Sequence, residues 1–208
     1  MAEEKRQGRR KEYYDVKEHY NRKNWLPSGR KWFQTRQTVL EGSSEQMPIF
    51  LTPSRKKVTG GSWTDPYTGI NTSDVKSLHI DHTVALREAF GSGGFRWSPE
   101  KKQKFAHSLR RGHLRPIGAD VNIQKSWHDV SKWLPEKDPI KYARETEKIK
   151  GRWGLSADPK EAKWYETLLG RKTRLKVGPA VEDTFYCKSC HGGNPYSNNK
   201  RGKSLLTR

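Results

Sequence analysis

Short apolar segments alternate with longer polar ones along this chain, and their spacing predicts where helices and strands lie. Aromatic and aliphatic residues recur at helical spacing between residues 13 and 40, with a turn at residues 27–29 that separates two short helices. Residues 50–80 are instead rich in Thr, Gly and Ser, which favours short strands, and the Asp-Pro and Thr-Gly pairs at residues 65–69 indicate a hairpin turn.

The second half of the chain carries clear helix boundaries. Ser98 followed by Pro99 predicts a helix that runs to about Leu109, and residues 113–117 form a short strand candidate. Further helices are predicted from residues 119–122 to beyond Trp127, from Asp138 to about residues 151–154, and over 158–170. Helices mixed with short antiparallel strands indicate an α+β fold.

Composition limits the number of domains and the class of partner. The 208 residues include 42 Lys and Arg against 23 Asp and Glu, for a net charge of +19, while the hydrophobic fraction is 31%. This balance predicts one small core with a large surface for polyanions, and the eight Trp and eight Tyr argue against a disordered chain. No apolar run approaches the roughly 18 to 20 residues of a membrane span, so we expect nucleic acid and no membrane.

Both ends of the chain are basic. The start, "MAEEKRQGRRKEYYD", has no apolar stretch after its charges and so does not look like a secretory signal, which predicts a cytoplasmic protein. Near the other end stand the chain's two cysteines, Cys187 and Cys190, followed by His191. This Cys-x-x-Cys-His segment is open to three interpretations: half of a Zn²⁺ site, which is favoured slightly, a haem attachment pattern, or free thiols in a basic tail.

A second constellation lies in the middle of the chain, around "SLHIDHTVAL". Asp81 and His82 end a strand candidate, His113 begins the next, and Asn122 lies near a helix start with Lys125 one turn later. An Asp-His pair alone is more often a pair of exposed polar residues without a functional role. This order of strand, strand and helix, however, suits metal-dependent phosphodiester hydrolysis. Asp81 and Asn122 would supply oxygen ligands to Mg²⁺ or Mn²⁺, and His82 would be the general base.

These segments resemble the HNH, or ββα-metal, nuclease finger, in the version found in secreted bacterial nucleases and in GmrSD-type restriction nucleases. The resemblance covers roughly residues 20–170. It rests on a Thr-Arg-x-x-Val-Leu helix, a Gly-x-Trp-x-Asp-Pro-Tyr-Thr-Gly hairpin, Asp-His, Trp-Ser-Pro and Asn-x-x-Lys, here Thr35, Arg36, Val39, Leu40, Gly61, Trp63, Asp65–Gly69, Asp81, His82, Trp97–Pro99, Asn122 and Lys125. It implies an HNH finger embedded in a mostly helical domain, and a DNA endonuclease active in restriction, phage defence or another setting.

The chain departs from the family pattern at two positions of the finger. The family usually has Asp where this chain has His79, and His113 replaces the middle Asn that braces the loop holding the catalytic His. His113 could still brace by a hydrogen bond, or could approach the metal. Lys125 is either a catalytic contact to phosphate or a solvated lysine, and Asp129 is expected to cap a helix.

The remaining predictions concern the partner and the domains. Six cations are candidates for contact with nucleic acid: Arg96, Lys101, Lys102, Lys104, Arg110 and Arg111. The expected division is a disordered N-terminus (1–12), a helical extension (13–57), the nuclease domain (58–170) and a basic tail (171–208). Double-stranded DNA is the expected substrate, with a homodimer if both strands are cut. The alternatives are RNA or mixed nucleic acid, and a non-catalytic basic binding protein.

Overall fold

The first helix shows how the N-terminal segment enters the fold. In the computed structural model, which describes residues 20–51 and 57–178, a 3₁₀ turn at Arg22–Asn24 precedes helix α1 (Gly29–Ser43). The Ser28 side chain accepts a hydrogen bond from the Lys31 amide and so caps the helix. The helix expected after the turn at residues 27–29 is therefore confirmed, whereas the one expected before it falls partly on residues 13–19, outside the described residues.

Five further helices follow within the described ranges: α2 (Leu86–Gly91), α3 (Pro99–Ala106), α4 (Ala119–Lys125), α5 (Pro139–Trp153) and α6 (Pro159–Leu169). Two end earlier than the sequence predicts. Helix α3 stops at Ala106 instead of Leu109. Helix α4 stops before Trp127 because Ser126 adopts a positive φ of 50°, which ends the helical path.

The strands form three antiparallel pairs in the described part of the chain. Strands β1 (Ile49–Phe50) and β2 (Val58–Gly60) make one pair, and β3 (Trp63–Thr64) and β4 (Asn71–Thr72) make the predicted hairpin. Strand β5 (Leu78–His82) pairs with β6 (Leu114–Gly118), with Asp81 opposite Arg115 and His82 opposite Leu114. The α+β class is confirmed: short antiparallel strands lie among helices.

The β5–β6 pair separates two apolar clusters. Because strand side chains alternate between faces, Leu78, Ile80 and Leu114 point one way and Ile117 points the other. The first face packs with residues of α1 and with Trp63, and the second packs against residues of α4, α5 and α6. The two strands are thus held between helices on both faces.

Helix α1 is part of this core. Its Val39 and Leu40 are buried against the first face of the strands, and the Arg36 guanidinium donates to the carbonyls of Val75 (3.0 Å) and Leu78 (3.1 Å). The described residues belong to one compact unit, and no boundary falls at residue 57. The segment expected to be an extension therefore supports the strand that carries the candidate site.

The segment after α6 is also attached to the core as far as the structure describes it. Leu175 is buried, and the Arg171 guanidinium pairs with the Glu147 carboxylate on α5. Residues 171–178 therefore belong to the folded unit and are not the start of a free tail. The predicted disordered residues 1–12 and the predicted zinc ligands Cys187, Cys190 and His191 lie outside the described residues.

A buried charge cluster connects α2, α5 and α6. The Lys150 ammonium is bonded to the carboxylates of Glu88 and Glu161 and to the Ser92 hydroxyl, and Tyr165 donates to Glu161 Oε1 (2.9 Å). Burial disfavours the charged form of Lys150 and so lowers its pKa. The neighbouring Glu161 and Glu88 outweigh this effect and raise the pKa above its ordinary value. Burial raises the pKa of Glu161 to about 8, while Lys150 holds that of Glu88 below its ordinary value despite burial.

Removing the cap of α6 should lower stability by a moderate amount. The Asp158 carboxylate accepts a hydrogen bond from the Glu161 amide (2.8 Å) at the first turn. We expect Asp158→Ala to lower the free energy of unfolding by about 1 kcal/mol in urea denaturation, because one amide loses its partner. Glu166→Ala, which removes an exposed acid from the same helix, should change it by less than about 0.5 kcal/mol. Equal losses in both variants would contradict the capping role.

Candidate functional site

The predicted residues of the finger lie on β5, directly before β6 and on α4, and these elements follow one another as strand, strand and helix. Side chains two residues apart on β5 share a face, so His79 and Asp81 point toward α4, whereas His82 points to the side of α1. Asp81 and His82 are adjacent in sequence but start on opposite faces of the strand. Their side chains therefore lie in different surroundings.

Asp81 is held by two donors. Its side chain is 4% exposed, its Oδ1 accepts from the Lys125 ammonium (2.8 Å), and its Oδ2 accepts from the Tyr67 hydroxyl (2.8 Å). Each carboxylate oxygen has room for two partners, so one hydrogen bond leaves each with further acceptor capacity. The carboxylate is thus fixed in orientation and still has free lone pairs.

Lys125 occupies neither of the positions considered from the sequence. It is fully buried, and its ammonium also donates to the backbone carbonyl of His82 (2.9 Å). A lysine in this place contacts neither bulk water nor an incoming phosphate. It links α4 to the end of β5 and balances the charge of Asp81.

Tyr67 was assigned to the core from the sequence, and the structure adds a polar role. The β3–β4 turn positions it: the Tyr67 amide donates to Asp65 Oδ1 (2.7 Å), and Asp65 Oδ2 accepts from the Gly118 amide at the end of β6 (2.8 Å). Burial first, and then the neighbouring Asp81 charge, raise the pKa of the Tyr67 hydroxyl well above its ordinary value, so it remains a donor. The Asp-Pro-Tyr-Thr-Gly motif was the only sequence signal for this contact.

His82 is oriented by a backbone carbonyl and by an indole ring. Its Nε2 lies 2.9 Å from the carbonyl oxygen of Ala106 at the end of α3, and its ring stacks on Trp32 of α1, with centroids 5.4 Å apart and planes 12° apart. A carbonyl only accepts, so the Nε2 carries the proton and the Nδ1 lone pair is left to accept one. Burial, followed by the proximity of His113, lowers the pKa of His82 well below its ordinary value, which keeps the ring neutral.

His113 holds the carbonyl next to the one that orients His82. Its Nε2 donates to the Phe105 carbonyl (2.8 Å), its ring packs edge-on against Phe105, and its side chain is 1% exposed. Burial lowers the pKa of His113 to about 4, so it is neutral as well. Of the two roles considered for His113, this contact corresponds to bracing of the loop.

His79 and Asn122 form the exposed part of this face. Asn122 Nδ2 lies 3.1 Å from His79 Nδ1, so the amide donates to the imidazole, and the side-chain oxygen of Asn122 is left as an acceptor. His79, which had no assigned role, is therefore the partner of a predicted metal ligand. The structure brings His79, Asp81, Asn122 and Lys125 to one face of β5, and His82 and His113 to the end of α3.

The six cations proposed to contact nucleic acid lie just before, on and after α3. Lys101 lies over the Trp97 ring, and Lys102 donates to the Phe95 carbonyl (3.4 Å). The group is exposed except for half-buried Lys102, and consists of Arg96, Lys101, Lys102, Lys104, Arg110 and Arg111. The loop that carries the last two is tied to the site, because the Thr83 hydroxyl donates to the Gly112 carbonyl (2.6 Å).

Asp129 closes a turn after α4. Its Oδ1 accepts from the Ser131 amide (2.7 Å) and hydroxyl (2.5 Å), and its backbone carbonyl accepts from the amides of Lys132 and Trp133. The predicted capping role therefore applies to a turn and not to a regular helix.

The donors on the α4 side of β5 fit a divalent cation by type. They are one carboxylate, one amide oxygen and one imidazole, and Mg²⁺ binds through few protein oxygens while keeping several waters. Across residues 20–51 and 57–178 there is no cluster of three or more His, Cys, Asp or Glu side chains arranged for a metal ion. A site on Asp81 and Asn122 would depend on the amide oxygen and on water.

Comparison with known proteins gives little further information. No protein-family model matches the chain, and no solved structure matches it. A fungal protein from Arthroderma benhamiae, called an uncharacterized secreted protein, is 28% identical over 137 residues. The match covers 65% of this chain and 66% of that protein, slightly less than two thirds of its length.

The predicted cytoplasmic localisation is contradicted by this relative, whose name describes a secreted protein. The prediction rested on the N-terminal segment, which has no apolar stretch after its charges. None of the helices in the described ranges is long and apolar enough to cross a membrane.

Proposed function

We propose that this protein is a metal-dependent endonuclease that hydrolyses phosphodiester bonds in double-stranded DNA, with His82 as the general base. The observation that carries the proposal is the contact between His82 Nε2 and the Ala106 carbonyl. It fixes the tautomer in which Nδ1 accepts a proton, as a base that activates water requires. The order of strand, strand and helix, which the resemblance to the HNH finger implies, supports the proposal.

In this proposal Asp81 and Asn122 would hold Mg²⁺ or Mn²⁺. Bound there, the cation would neutralise the phosphate and stabilise the leaving oxygen. Tyr67 and Lys125 keep the Asp81 carboxylate in place, and His79 orients the Asn122 amide. The exposed cations on and after α3 would bind the DNA backbone, and a homodimer would allow both strands to be cut.

The engagement of Asp81 favours a second candidate, a non-catalytic nucleic-acid-binding protein. The Lys125 ammonium at 2.8 Å already balances the carboxylate, so Asp81 has its charge compensated without a metal. The two candidates differ in one measurable respect, since only the first predicts cleavage. We expect the protein to nick supercoiled plasmid in Mg²⁺ or Mn²⁺ and not in EDTA. Absence of nicking in every divalent metal would favour the binding protein. Parallel reactions with RNA test the other substrate.

Replacement of Asn122 tests the metal site directly. We expect Asn122→Ala to raise the Mg²⁺ concentration for half-maximal nicking by at least about 10-fold, since even loss of a residue that supports a ligand costs 10- to 100-fold in metal affinity. Gln124→Ala, an exposed change on the same helix, should leave the Mg²⁺ dependence unchanged. An unaltered Mg²⁺ titration for Asn122→Ala would remove Asn122 from the site.

A further inference from the structure

The C-terminal half of α5 and the segment after α6 line a basic groove that the candidate site does not use. The groove has a volume of about 500 Å³, and its lining includes one acid, Glu147, among five cations. These five are Arg144, Lys148, Arg152, Arg171 and Arg174. We call this feature the α5 groove.

The single acid in the α5 groove is already neutralised. The Arg171 guanidinium binds both oxygens of Glu147, and the Thr173 hydroxyl (2.8 Å) and the Arg174 amide (3.0 Å) donate to Oε1. Glu147 therefore orders the segment after α6 and has little capacity left to balance other cations. The side chains of the other four cations have no carboxylate partner in the described part of the chain.

Three of these cations form a row along one face of α5. Arg144, Lys148 and Arg152 are four residues apart, and like charges at this spacing repel and destabilise a helix by a few tenths of a kcal/mol per pair. The row extends about 12 Å along the helix axis. One strand of duplex DNA carries three to four phosphates over about that length. The three cations repel one another, whereas a polyanion lying along α5 would gain a contact with each of them.

The α5 groove also adjoins the loop before β6. Gly112 lies against Glu145 of α5, and Trp153, next to Arg152, packs against His113. Arg110 and Arg111 of the same loop are exposed. A backbone lying along α5 would therefore continue past this loop toward the end of α3, where His82 is oriented.

We propose that the α5 groove is a second binding surface for the phosphate backbone of a nucleic acid, which holds the strand that extends away from the cleavage site. This inference rests on the proposed function for its partner, and the charge of +19 on the whole chain agrees with it. The residues that follow the groove, 179–208, contain only two acids among several cations, which makes them unsuitable as its occupant.

Binding of a labelled duplex in EDTA tests the α5 groove separately from cleavage. The variant carries Arg144→Gln, Lys148→Gln and Arg152→Gln, which remove charge but retain good helix formers. We expect the slope of log K against log salt, measured by fluorescence anisotropy, to become shallower by about two to three, since each phosphate contact contributes about 0.9. The control, Lys141→Gln, Lys160→Gln and Lys163→Gln, removes the same charge from exposed positions outside the groove and should leave the slope within about one of the wild type.

The outcomes distinguish the two proposals. A variant that binds duplex like the wild type, or a control that weakens binding equally, would overturn the α5 groove even if the wild type nicks plasmid. Loss of binding in the variant alone would support the groove even if no nicking is found. If the variant loses binding to anionic lipid vesicles but retains duplex binding, the surface would be assigned to membranes and the proposal would be overturned.

Discussion

Replacing His82 by alanine is expected to slow plasmid nicking by about 10²- to 10⁴-fold, the usual contribution of a positioned general base. The Ala106 carbonyl holds the proton on Nε2 and the Trp32 ring fixes the plane of the imidazole, so the wild-type Nδ1 is presented in one orientation. Alanine removes the proton acceptor and leaves a ring-sized space. Nicking rates in Mg²⁺, at equal protein concentration, measure the effect.

Two comparisons separate the base from a merely structural histidine. His107→Ala removes another imidazole that contacts Trp32 and should retain nicking within a few-fold. Added imidazole should partly restore nicking by His82→Ala, because a free base can enter the space, while His82→Gln should stay inactive because an amide accepts no proton. Wild-type nicking by His82→Ala, or full activity of His82→Gln, would contradict the assignment.

Replacing Lys150 by methionine should destabilise the helical part of the fold strongly. Lys150 is 1% exposed and bonded to Glu88 and Glu161, so its loss leaves the buried Glu88 carboxylate without a counter-charge and the Glu161 carboxyl without its partner. Breaking a buried ion pair from one side typically costs about 3–5 kcal/mol. Urea denaturation at pH 7 should show a loss of this size for Lys150→Met, and a change within about 0.5 kcal/mol for Lys148→Met, an exposed neighbour.

The stability lost in Lys150→Met should depend on pH. The pKa of Glu161, about 8 in the folded protein, lies above its ordinary value of 4.5. The folded state therefore binds a proton that the unfolded state has released, and this carboxyl makes stability fall as pH rises from about 4.5 to about 8. The loss of unfolding free energy in Lys150→Met, relative to the wild type, should grow over the same pH range and shrink below pH 4.5. A deficit that is independent of pH, or equal in Lys148→Met, would show that the buried charges are not its cause.

The helix boundaries were the most predictable part of this fold. Asp158 and Ser98 cap helices where the sequence indicated, since capping depends on a side chain and an amide two or three residues away. Helix α4 shows the limit of such local signals. The chain turns at Ser126, with a positive φ that no local residue preference requires, and tertiary packing determined that end.

For the candidate site, too, the sequence predicted some features and the structure revealed others. The motifs around Asp81, His82 and Asn122 predicted a candidate site, and the structure places these residues on the predicted strand and helix. The sequence did not reveal that Lys125 is buried against Asp81, that Tyr67 donates to the same carboxylate, or that the Ala106 carbonyl orients His82. Two of these contacts join side chains 14 and 44 residues apart, and the third uses a backbone atom, which has no residue identity to read.

The sequence by itself determined the class of this protein: a basic, aromatic-rich α+β domain with a patterned group of His, Asp and Asn in its middle. Those properties depend on composition and on short-range spacing, which the linear chain contains in full. Only the tertiary structure decided that α1 belongs to the core, that His79 meets Asn122, and that the cations of α5 lie together with Arg174 in one groove. The reason is that contact between distant segments is set by the packing of both faces of β5 and β6.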